Sequence, residues 1–201
     1  MRSLVGIFVG GAGRRMGGVA KGLLPAPSGL TLVEHLAREA GRAHLDVALV
    51  GLHESYRRLG LPMVPDRGRG PLAGLLALLE EGRARRRVVT VACDMPFLTA
   101  ADLECLAAVP EAAPVAAARS PDGGGLWEPF YASYAPGVAG PRLLALALAG
   151  CRSFQELFHV LVPQEVQPVS AGALHDWDRP EDLPPEVSAT LLSSSSSGRP
   201  E

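Results

Sequence analysis

The residues best suited to chemistry are a glycine-rich loop at residues 10–18 and the lysine that follows it. Glycines that follow a parallel strand allow the backbone to approach a phosphate closely and to direct its N–H groups at the anion. Lys21 is the one lysine among 19 basic residues, and the others are all arginines. A compact ammonium group is therefore indicated at this position, where it would act on a phosphate.

Two common phosphate-binding motifs do not fit this loop. A Walker loop ends in Gly-Lys-Ser/Thr, whereas Lys21 lies between Ala20 and Gly22. The Rossmann fingerprint G-x-G-x-x-G, begun at Gly11, requires a glycine where the chain has Met16. The loop is therefore either a phosphate-binding loop of another class or a structural glycine-rich turn.

A second candidate is Asp94, which follows an apolar strand predicted at residues 87–93. Open α/β sheets bind ligands at the carboxyl ends of their strands, and Mg²⁺ usually bridges carboxylates to phosphates. Asp94 is thus a candidate metal ligand, and its alternative role is a helix N-cap, for which Thr99 is better placed. Cys93 is expected to pack in the core. The five histidines are scattered along the chain, and none is assigned a catalytic role.

The elements that must position these residues alternate between apolar strands and helical patterns. Strands are predicted at residues 4–9, 46–50, 63–65, 87–93, 113–118 and 164–169. Helices are predicted at residues 32–42, 54–59, 71–85, 100–108, 142–149 and 154–161. This order predicts a three-layer α/β/α fold of Rossmann-like type with a mostly parallel sheet. Residues 126–132 are predicted to form an edge strand because Pro129 cannot donate a ladder hydrogen bond.

Length and composition fit one globular domain, which we expect at residues 1–185, with a mobile serine-rich tail at residues 186–201. The 201 residues carry 19 basic and 21 acidic side chains, for a net charge of −2. Nucleic acid and membranes are therefore not expected as main partners. Three cysteines without a C-x-x-C motif, and apolar runs far shorter than the roughly 20 residues that span a bilayer, indicate a cytoplasmic protein.

Five segments, in order, resemble the molybdenum cofactor guanylyltransferases, the MobA family of nucleotidyltransferases. They are the loop with Gly10-Gly11, Arg15-Met16-Gly17 and Lys21-Gly22-Leu23-Leu24, Asp66 with residues 70–74, and residues 93–98, 128–130 and 180–183. The resemblance covers residues 4 to about 183 and implies the nucleotidyltransferase fold. It also implies transfer of GMP from GTP to the terminal phosphate of Mo-molybdopterin, which yields molybdopterin guanine dinucleotide and pyrophosphate.

The resemblance further implies roles for individual residues. Lys21 and Arg15 would neutralise the triphosphate, and Asp94 would hold Mg²⁺ or Mn²⁺, so these three are the expected catalytic residues. The expected second metal ligand is Asp176, with Asp178 as the alternative, because the family has asparagine or aspartate at both places and this chain has no asparagine. The nucleotide is expected to contact Phe8, Val9, Gly10, Gly11, Gly13, Lys21, Gly51, Asp66, Gly70, Pro71, Leu72 and Asp94.

The residues leave alternatives open for the nucleotide and for the acceptor. Gly51 stands where the family often has asparagine, so one side-chain contact to guanine is missing. Cytidylyltransferases for the same pterin tend to have a serine-rich stretch at residues 70–74, so the glycines here favour GTP. A nucleotidyltransferase for another small phosphate and a non-catalytic nucleotide-binding module stay open, and the latter predicts binding without pyrophosphate release.

The expected partners follow from the same resemblance. The substrates would be GTP and Mo-molybdopterin, and the pterin is expected to lie against residues 128–131 and 176–178. By analogy, proteins that deliver molybdopterin and proteins of molybdoenzyme maturation that receive the product are further expected partners.

Overall fold

Seven strands form a single sheet in the computed structural model, which describes residues 2–10, 20–66, 70–121 and 124–188. The strands are β1 Leu4–Phe8, β2 Asp46–Val50, β3 Met63–Val64, β4 Val88–Ala92, β5 Val115–Arg119, β6 Trp127–Tyr134 and β7 Gln164–Glu165. Their order across the sheet is β3-β2-β1-β4-β6-β5-β7. All pair in parallel except β6, which is antiparallel to both β4 and β5.

Five α-helices cover the two faces of this sheet. They are α1 Leu32–Arg42, α2 Pro71–Glu81, α3 Ala100–Ala108, α4 Pro136–Leu148 and α5 Phe154–Leu161. Helices α1 and α3 pack on one face around an apolar cluster that includes Ile7 and Val91. Helices α2, α4 and α5 pack on the other face, around a cluster that includes Phe8 and Leu78. The predicted three-layer α/β fold with a mostly parallel sheet is confirmed.

Local signals explain why two of these helices have the bounds predicted from the sequence. Thr31 caps α1 in a capping box with Glu34, and Thr99 caps α3 in the same way with Asp102. Helix α2 begins at Pro71, whose missing N–H would have no partner in the first turn. It ends at Glu81 rather than at residue 85, and Gly82 is its C-cap.

Strand β6 differs from the prediction of an edge strand, because it lies between β4 and β5. Its pairing with β5 shifts register between Ala132 and Trp127, and its pairing with β4 ends at Tyr131. Pro129 therefore falls in an irregular part of the strand, where the ladder requires no N–H donor. Its carbonyl accepts a hydrogen bond from the Thr90 hydroxyl at 2.7 Å. The prediction was wrong because a bulge removes the conflict between proline and an interior strand.

Helix α4 begins six residues before the predicted start at residue 142. Pro136 occupies the first turn, where proline is tolerated, but Pro141 lies inside the helix and removes one backbone donor. Proline and glycine at residues 136–141 have low helix propensity, so the sequence does not predict a helix there. Burial of Ala139 and Leu143 against the sheet outweighs these unfavourable propensities.

The last described residues continue the packed domain. Residues 185–188 are helical, and Val187 is buried with Leu183 and Trp177. The rest of the predicted tail, residues 189–201, lies outside the described residues. In the described part of the chain, no helix combines the length and the hydropathy needed to cross a bilayer.

Candidate active site

The carboxyl ends of four parallel strands bring the predicted residues to one edge of the sheet. Gly10 follows β1, Gly51 follows β2, Asp66 follows β3 and Asp94 follows β4. A Cβ atom on Gly10 would lie 3.3 Å from Asp66 Oδ2, and one on Gly51 would lie 3.1 Å from the Gly10 nitrogen. Gly51 has φ +110°, a conformation that side chains rarely adopt. Glycine at this position therefore permits close approach of two backbone segments beneath any ligand.

The first turn of α2 lies beside this edge. Gly70 is its N-cap, and Pro71 and Leu72 follow with no acidic residue in the first turn. A helix N-terminus carries partial positive charge and unpaired N–H groups, which favour an anion. A Cβ atom on Gly74 would lie 3.5 Å from Asp66 Cβ. The turn and the end of β3 thus form one continuous wall.

Lys21 is held in place by a short 3₁₀ helix, Lys21–Leu23, that is pressed against α1. The Gly22 N–H donates to the Tyr56 hydroxyl at 3.1 Å, and a Cβ atom on Gly22 would lie only 2.5 Å from Val33 Cγ2. Only glycine permits this close approach. The position of the lysine is therefore set by packing of its neighbour, and Tyr56 has no signal in the sequence that predicts this role.

The Lys21 ammonium bridges two carboxylates that are distant in sequence. Its Nζ lies 3.0 Å from Asp94 Oδ2 and 2.7 Å from Asp178 Oδ1. Burial alone would lower the pKa of Lys21, but hydrogen bonds and charges from Asp178 and Asp94 raise it above its usual value. The lysine therefore stays charged, and it is available to a phosphate that competes with the two acids.

A buried tryptophan positions the aspartates on both sides of it. Trp177 is 1% exposed and packs with Leu24 and Leu183. Its backbone N–H donates to the Asp94 carbonyl at 2.9 Å. The anchored residue brings Asp176 and Asp178 to the carboxyl end of β4. The aromatic residue between two aspartates is the sequence signal for this anchor, although no role is assigned to it above.

Negative charge exceeds positive charge in the described part of the site. We call the side chains of Lys21, Asp94, Glu128, Asp176 and Asp178 the acidic cluster. Burial, followed by the charges of Asp94 and Asp178, raises the pKa of Asp176. Burial also raises the pKa of Glu128; a hydrogen bond from the Phe130 amide opposes this effect, and the charges of Asp176 and Asp94 add smaller contributions in the same direction as burial. A further cation would relieve this repulsion.

The oxygen atoms of this cluster suit a hard divalent cation. Residues 2–10, 20–66, 70–121 and 124–188 contain no group of three or more histidine, cysteine or acidic side chains that could hold a metal by themselves. Mg²⁺ does not need such a group, because it is usually bound by one or two carboxylates together with water and substrate phosphates. The predicted pair Asp94 and Asp176 fits that donor set.

A cavity of about 460 Å³ lies next to Asp176. Its lining is Pro121, Pro168, Ser170, Gly172, Ala173, Leu174, His175, Asp176 and Asp182. Phe97, which is 39% exposed, lies beside this wall, with its ring centroid 5.8 Å from that of His175. The acidic cluster therefore borders a partly apolar cavity through Asp176.

The remaining predicted residues fall into two groups. Phe8 and Val9 are buried, and the Phe8 ring packs on Phe130 with centroids 5.1 Å apart, so the side chains of these two residues belong to the core. Gly11, Gly13 and Arg15 lie outside the described residues. Burial of Cys93 in the core is confirmed, and it raises the pKa of that thiol to about 12.

Known proteins are similar to this chain in sequence and in architecture. The MobA-like NTP transferase domain family matches residues 5–166. A molybdenum cofactor guanylyltransferase of Ectopseudomonas mendocina is 32% identical over 183 residues, 88% of this chain and 88% of the relative. One from Mesorhizobium japonicum is 42% identical over 105 residues, 48% of this chain and 50% of the relative. The chain spans about half the length of that protein and of two further relatives with the same name.

Solved structures show the same fold. Molybdopterin-guanine dinucleotide biosynthesis protein A from Archaeoglobus fulgidus matches with a TM-score of 0.67 at 21% identity, over 96% of this chain and 99% of the other. The 2-C-methyl-D-erythritol 4-phosphate cytidylyltransferase of Thermus thermophilus matches with a TM-score of 0.66 at 19% identity, over 96% and 100%. The names of these two proteins differ in their nucleotide and their acceptor, so this likeness shows the fold alone.

Proposed function

The chain belongs to the MobA-like NTP transferase family, and from this premise we propose that it transfers GMP from GTP to the terminal phosphate of Mo-molybdopterin. The products are molybdopterin guanine dinucleotide and pyrophosphate. The observation that carries the proposal is the Lys21 ammonium held between Asp94 and Asp178 at the carboxyl edge of the sheet. A lone lysine in that position suits a triphosphate whose charge changes during reaction.

The reaction is a single in-line displacement at the α-phosphorus of GTP. An oxygen of the acceptor's terminal phosphate forms the new bond, and the bond to the oxygen that leaves with the β-phosphate breaks. The acceptor phosphate is already an anion at neutral pH, so the step requires no general base. Lys21 neutralises charge on the phosphates, and the backbone after β1 and the first turn of α2 bind the nucleotide. Arg15 is a further proposed cation.

A divalent cation completes the proposed chemistry. Asp94 and Asp176 would hold Mg²⁺, or Mn²⁺ with the same oxygen ligands, and the ion would supply neutralisation of the phosphates when bound. The raised pKa of Asp176, caused by burial and by the charges of Asp94 and Asp178, supports this choice because a cation removes the repulsion. Asp178, whose Oδ1 accepts from Lys21 at 2.7 Å, is the alternative second ligand.

GTP is the proposed nucleotide, and CTP is the alternative. The names of the relatives with the most extensive sequence matches, and the glycines at residues 70–74, favour GTP. Backbone groups near Gly51 and Gly10, which approach each other closely, are proposed to replace the contact of the missing asparagine side chain. A solved cytidylyltransferase shares this fold, so the fold by itself does not distinguish the two nucleotides.

The acceptor is proposed to lie across the acidic cluster from the nucleotide. The cavity beside Asp176 supports this placement, because its lining combines apolar side chains with several polar and charged ones that can orient a small molecule. Proteins that deliver molybdopterin and proteins of molybdoenzyme maturation are proposed partners. A cytoplasmic site of action is proposed as well, and the three free cysteines agree with a reducing compartment.

Thermal unfolding with GTP, CTP, ATP and UTP, each with and without Mg²⁺, tests the nucleotide half of the proposal. A ligand that binds only the folded state stabilises it by about 2.7 kcal/mol at a hundredfold excess over Kd. We expect GTP to give the largest shift, and we expect Lys21→Ala to reduce that shift. A larger shift with CTP would favour a cytidylyltransferase for the same pterin. The absence of a shift with every nucleotide would contradict the proposal.

Pyrophosphate release tests the other half. GTP, Mg²⁺ and Mo-molybdopterin together are expected to yield pyrophosphate, whereas omission of any one of them is expected to stop it. Binding of GTP without pyrophosphate release under these conditions would support a non-catalytic nucleotide-binding module instead.

A further inference from the structure

A buried aspartate outside the acidic cluster connects two segments that border it. Asp102, in the first turn of α3, is 0% exposed. Its Oδ2 accepts from the Thr99 N–H at 3.1 Å and from the Thr99 hydroxyl at 2.8 Å. Its Oδ1 accepts from the Tyr131 hydroxyl at 2.9 Å, and from the N–H groups of Val169 at 2.9 Å and Ser170 at 3.1 Å. One carboxylate thus joins α3, β6 and the segment after β7.

Only half of this carboxylate serves the helix that carries it. A capping box requires the contact to the backbone of Thr99, which Oδ2 makes. Oδ1 instead fastens the start of residues 169–178, which we call the acceptor-side segment. The Ser170 hydroxyl lies 2.6 Å from Thr99 Oγ1. Because the Thr99 hydroxyl donates to Asp102, Ser170 is the donor in this contact and adds a second link from the same segment.

The acceptor-side segment is fastened again at its far end. The Trp177 N–H donates to the carbonyl of Asp94 at 2.9 Å. Between the two attachments the chain turns, with the Ala173 N–H donating to the Ser170 carbonyl at 3.2 Å. This turning stretch supplies most of the cavity lining and also Asp176. The shape of the cavity and the position of Asp176 therefore depend on both attachments.

The charge state of Asp102 suits an attachment of this kind. Burial alone would raise the pKa of Asp102, but hydrogen bonds from Ser170 and Thr99 lower it below its usual value. The carboxylate is therefore ionised near neutral pH, and hydrogen bonds to an ionised acceptor are stronger than those to a neutral one.

We propose that Asp102 is a positioning residue for the acceptor side of the site. It contacts none of the acidic cluster directly among the described residues, and it acts by holding the acceptor-side segment against α3 and β6. This inference rests on the proposed function for its kinetic consequence, which is a selective effect on the acceptor. Its structural consequence, release of the segment, can be measured independently of any activity.

The structural test uses Trp177 as a reporter. The chain has two tryptophans, so Trp127→Phe leaves Trp177 as the sole one, and that ring is 1% exposed. In this background, Asp102→Ala is expected to shift the native emission to longer wavelength, because the segment that carries the ring loses its first attachment. Asp102→Asn is expected to give a smaller shift, since the amide keeps one oxygen but turns an NH₂ group toward N–H donors.

The kinetic test separates acceptor from nucleotide. Asp102→Ala is expected to raise the KM for Mo-molybdopterin or lower kcat by up to about a hundredfold, the cost of a misplacement of about 1 Å. The GTP-induced shift in Tm is expected to stay as in the parent. Ser133→Ala is the matched control, because it removes a buried partner of Arg87 at the opposite edge of the sheet. It is expected to lower Tm without altering the emission or the acceptor KM.

The two tests together decide the proposal. A lowered Tm for Asp102→Ala with unchanged emission and unchanged acceptor kinetics would overturn it and leave Asp102 as a helix cap. If Asp102→Ala does not fold, Asp102→Asn decides by the same two readouts. If the parent protein binds GTP but does not use Mo-molybdopterin, the proposed function fails, while the emission still decides whether Asp102 holds the segment.

Discussion

The two edges of the sheet each contain a cationic side chain, and the partners of these two cations differ. At the carboxyl edge, Lys21 lies between two carboxylates at 3.0 and 2.7 Å, and the side chains of all three residues remain partly accessible. Two further acids, Glu128 and Asp176, have pKa values raised by burial and by the charges of neighbouring aspartates. Charge at this edge is therefore unbalanced within the described residues, and the imbalance is accessible to a ligand.

At the opposite edge, Arg87 is fully buried and its hydrogen bonds go to neutral groups. It donates to the hydroxyl of Ser133 at 2.9 Å and to its carbonyl at 2.8 Å, and also to the carbonyls of Pro110 and Ala113 at 3.2 and 2.7 Å. Burial lowers the pKa of Arg87 to about 10, which still leaves it charged at neutral pH. The guanidinium ties β4 and β6 to the loop before β5.

This difference separates a residue that serves the ligand from one that serves the fold. Four of the five N–H donors of Arg87 bond to carbonyl and hydroxyl groups, and burial keeps the guanidinium from contact with another molecule. Ion pairs that remain accessible, by contrast, contribute little to stability and are readily exchanged for a stronger anion. The carboxyl edge is therefore expected to respond to substitution mainly in activity, and the opposite edge mainly in stability.

Lys21→Ala is expected to have the largest effect on activity. It removes the ammonium group that is proposed to neutralise the phosphates, so kcat should fall by about a hundredfold to a thousandfold. Pyrophosphate release with GTP and Mo-molybdopterin measures this change. Lys21→Arg keeps the charge but not the compact shape, and should recover binding of GTP more than rate. Retention of more than a tenth of the parent rate in Lys21→Ala would remove the distinction between the two edges.

Arg87→Met is expected to have the largest effect on stability. It leaves the buried hydroxyl and carbonyl of Ser133, and two partly buried carbonyl groups, without their donor, so the free energy of unfolding should fall by about 3 kcal/mol or more. Urea unfolding measures this loss, and kcat of the folded variant should stay near that of the parent. Arg86→Met is the control: Arg86 is exposed and lies 3.8 Å from Glu111, so less than about 1 kcal/mol should be lost.

Asp176→Asn tests which aspartate at the carboxyl edge is the second metal ligand. If this carboxylate is a metal ligand, the Mg²⁺ concentration for half-maximal rate should rise by about tenfold, a typical cost for weakening a metal site. Asp178→Asn is the matched control, since it changes the partner of Lys21 and should alter GTP affinity more than Mg²⁺ dependence. The reverse order of the two effects would make Asp178 the second ligand.

Glu128→Gln is expected to have the smallest effect. Burial, together with the charges of Asp176 and Asp94, raises the pKa of Glu128, so its ionised form destabilises the folded protein above the pKa it has when unfolded. The variant should therefore be more stable than the parent at pH 7, by less than about 1 kcal/mol. The difference should vanish below about pH 4, where the unfolded chain also binds the proton. Thermal melts across this pH range measure the difference in stability. A difference that does not change with pH would contradict the prediction.

Much of the fold could be predicted from the sequence because its signals are local. The capping boxes at Thr31 and Thr99 define the starts of α1 and α3, and apolar runs define the parallel strands. The interior position of β6 and the start of α4 could not be predicted in this way, because Pro129 and Pro141 are tolerated only through tertiary contacts. A bulge and the packing of a helix face are invisible to propensity.

The sequence by itself determined which side chains are available for chemistry: one lysine, an aspartate at the end of a buried strand, and a pair of aspartates around a tryptophan. Only the tertiary structure decided which of them meet. Lys21 contacts Asp94 and Asp178, which are 73 and 157 residues away along the chain. Asp178 rather than Asp176 contacts the lysine because Trp177, buried between them, is fastened to the Asp94 carbonyl. Contacts over such separations depend on how whole elements pack, which no local pattern encodes.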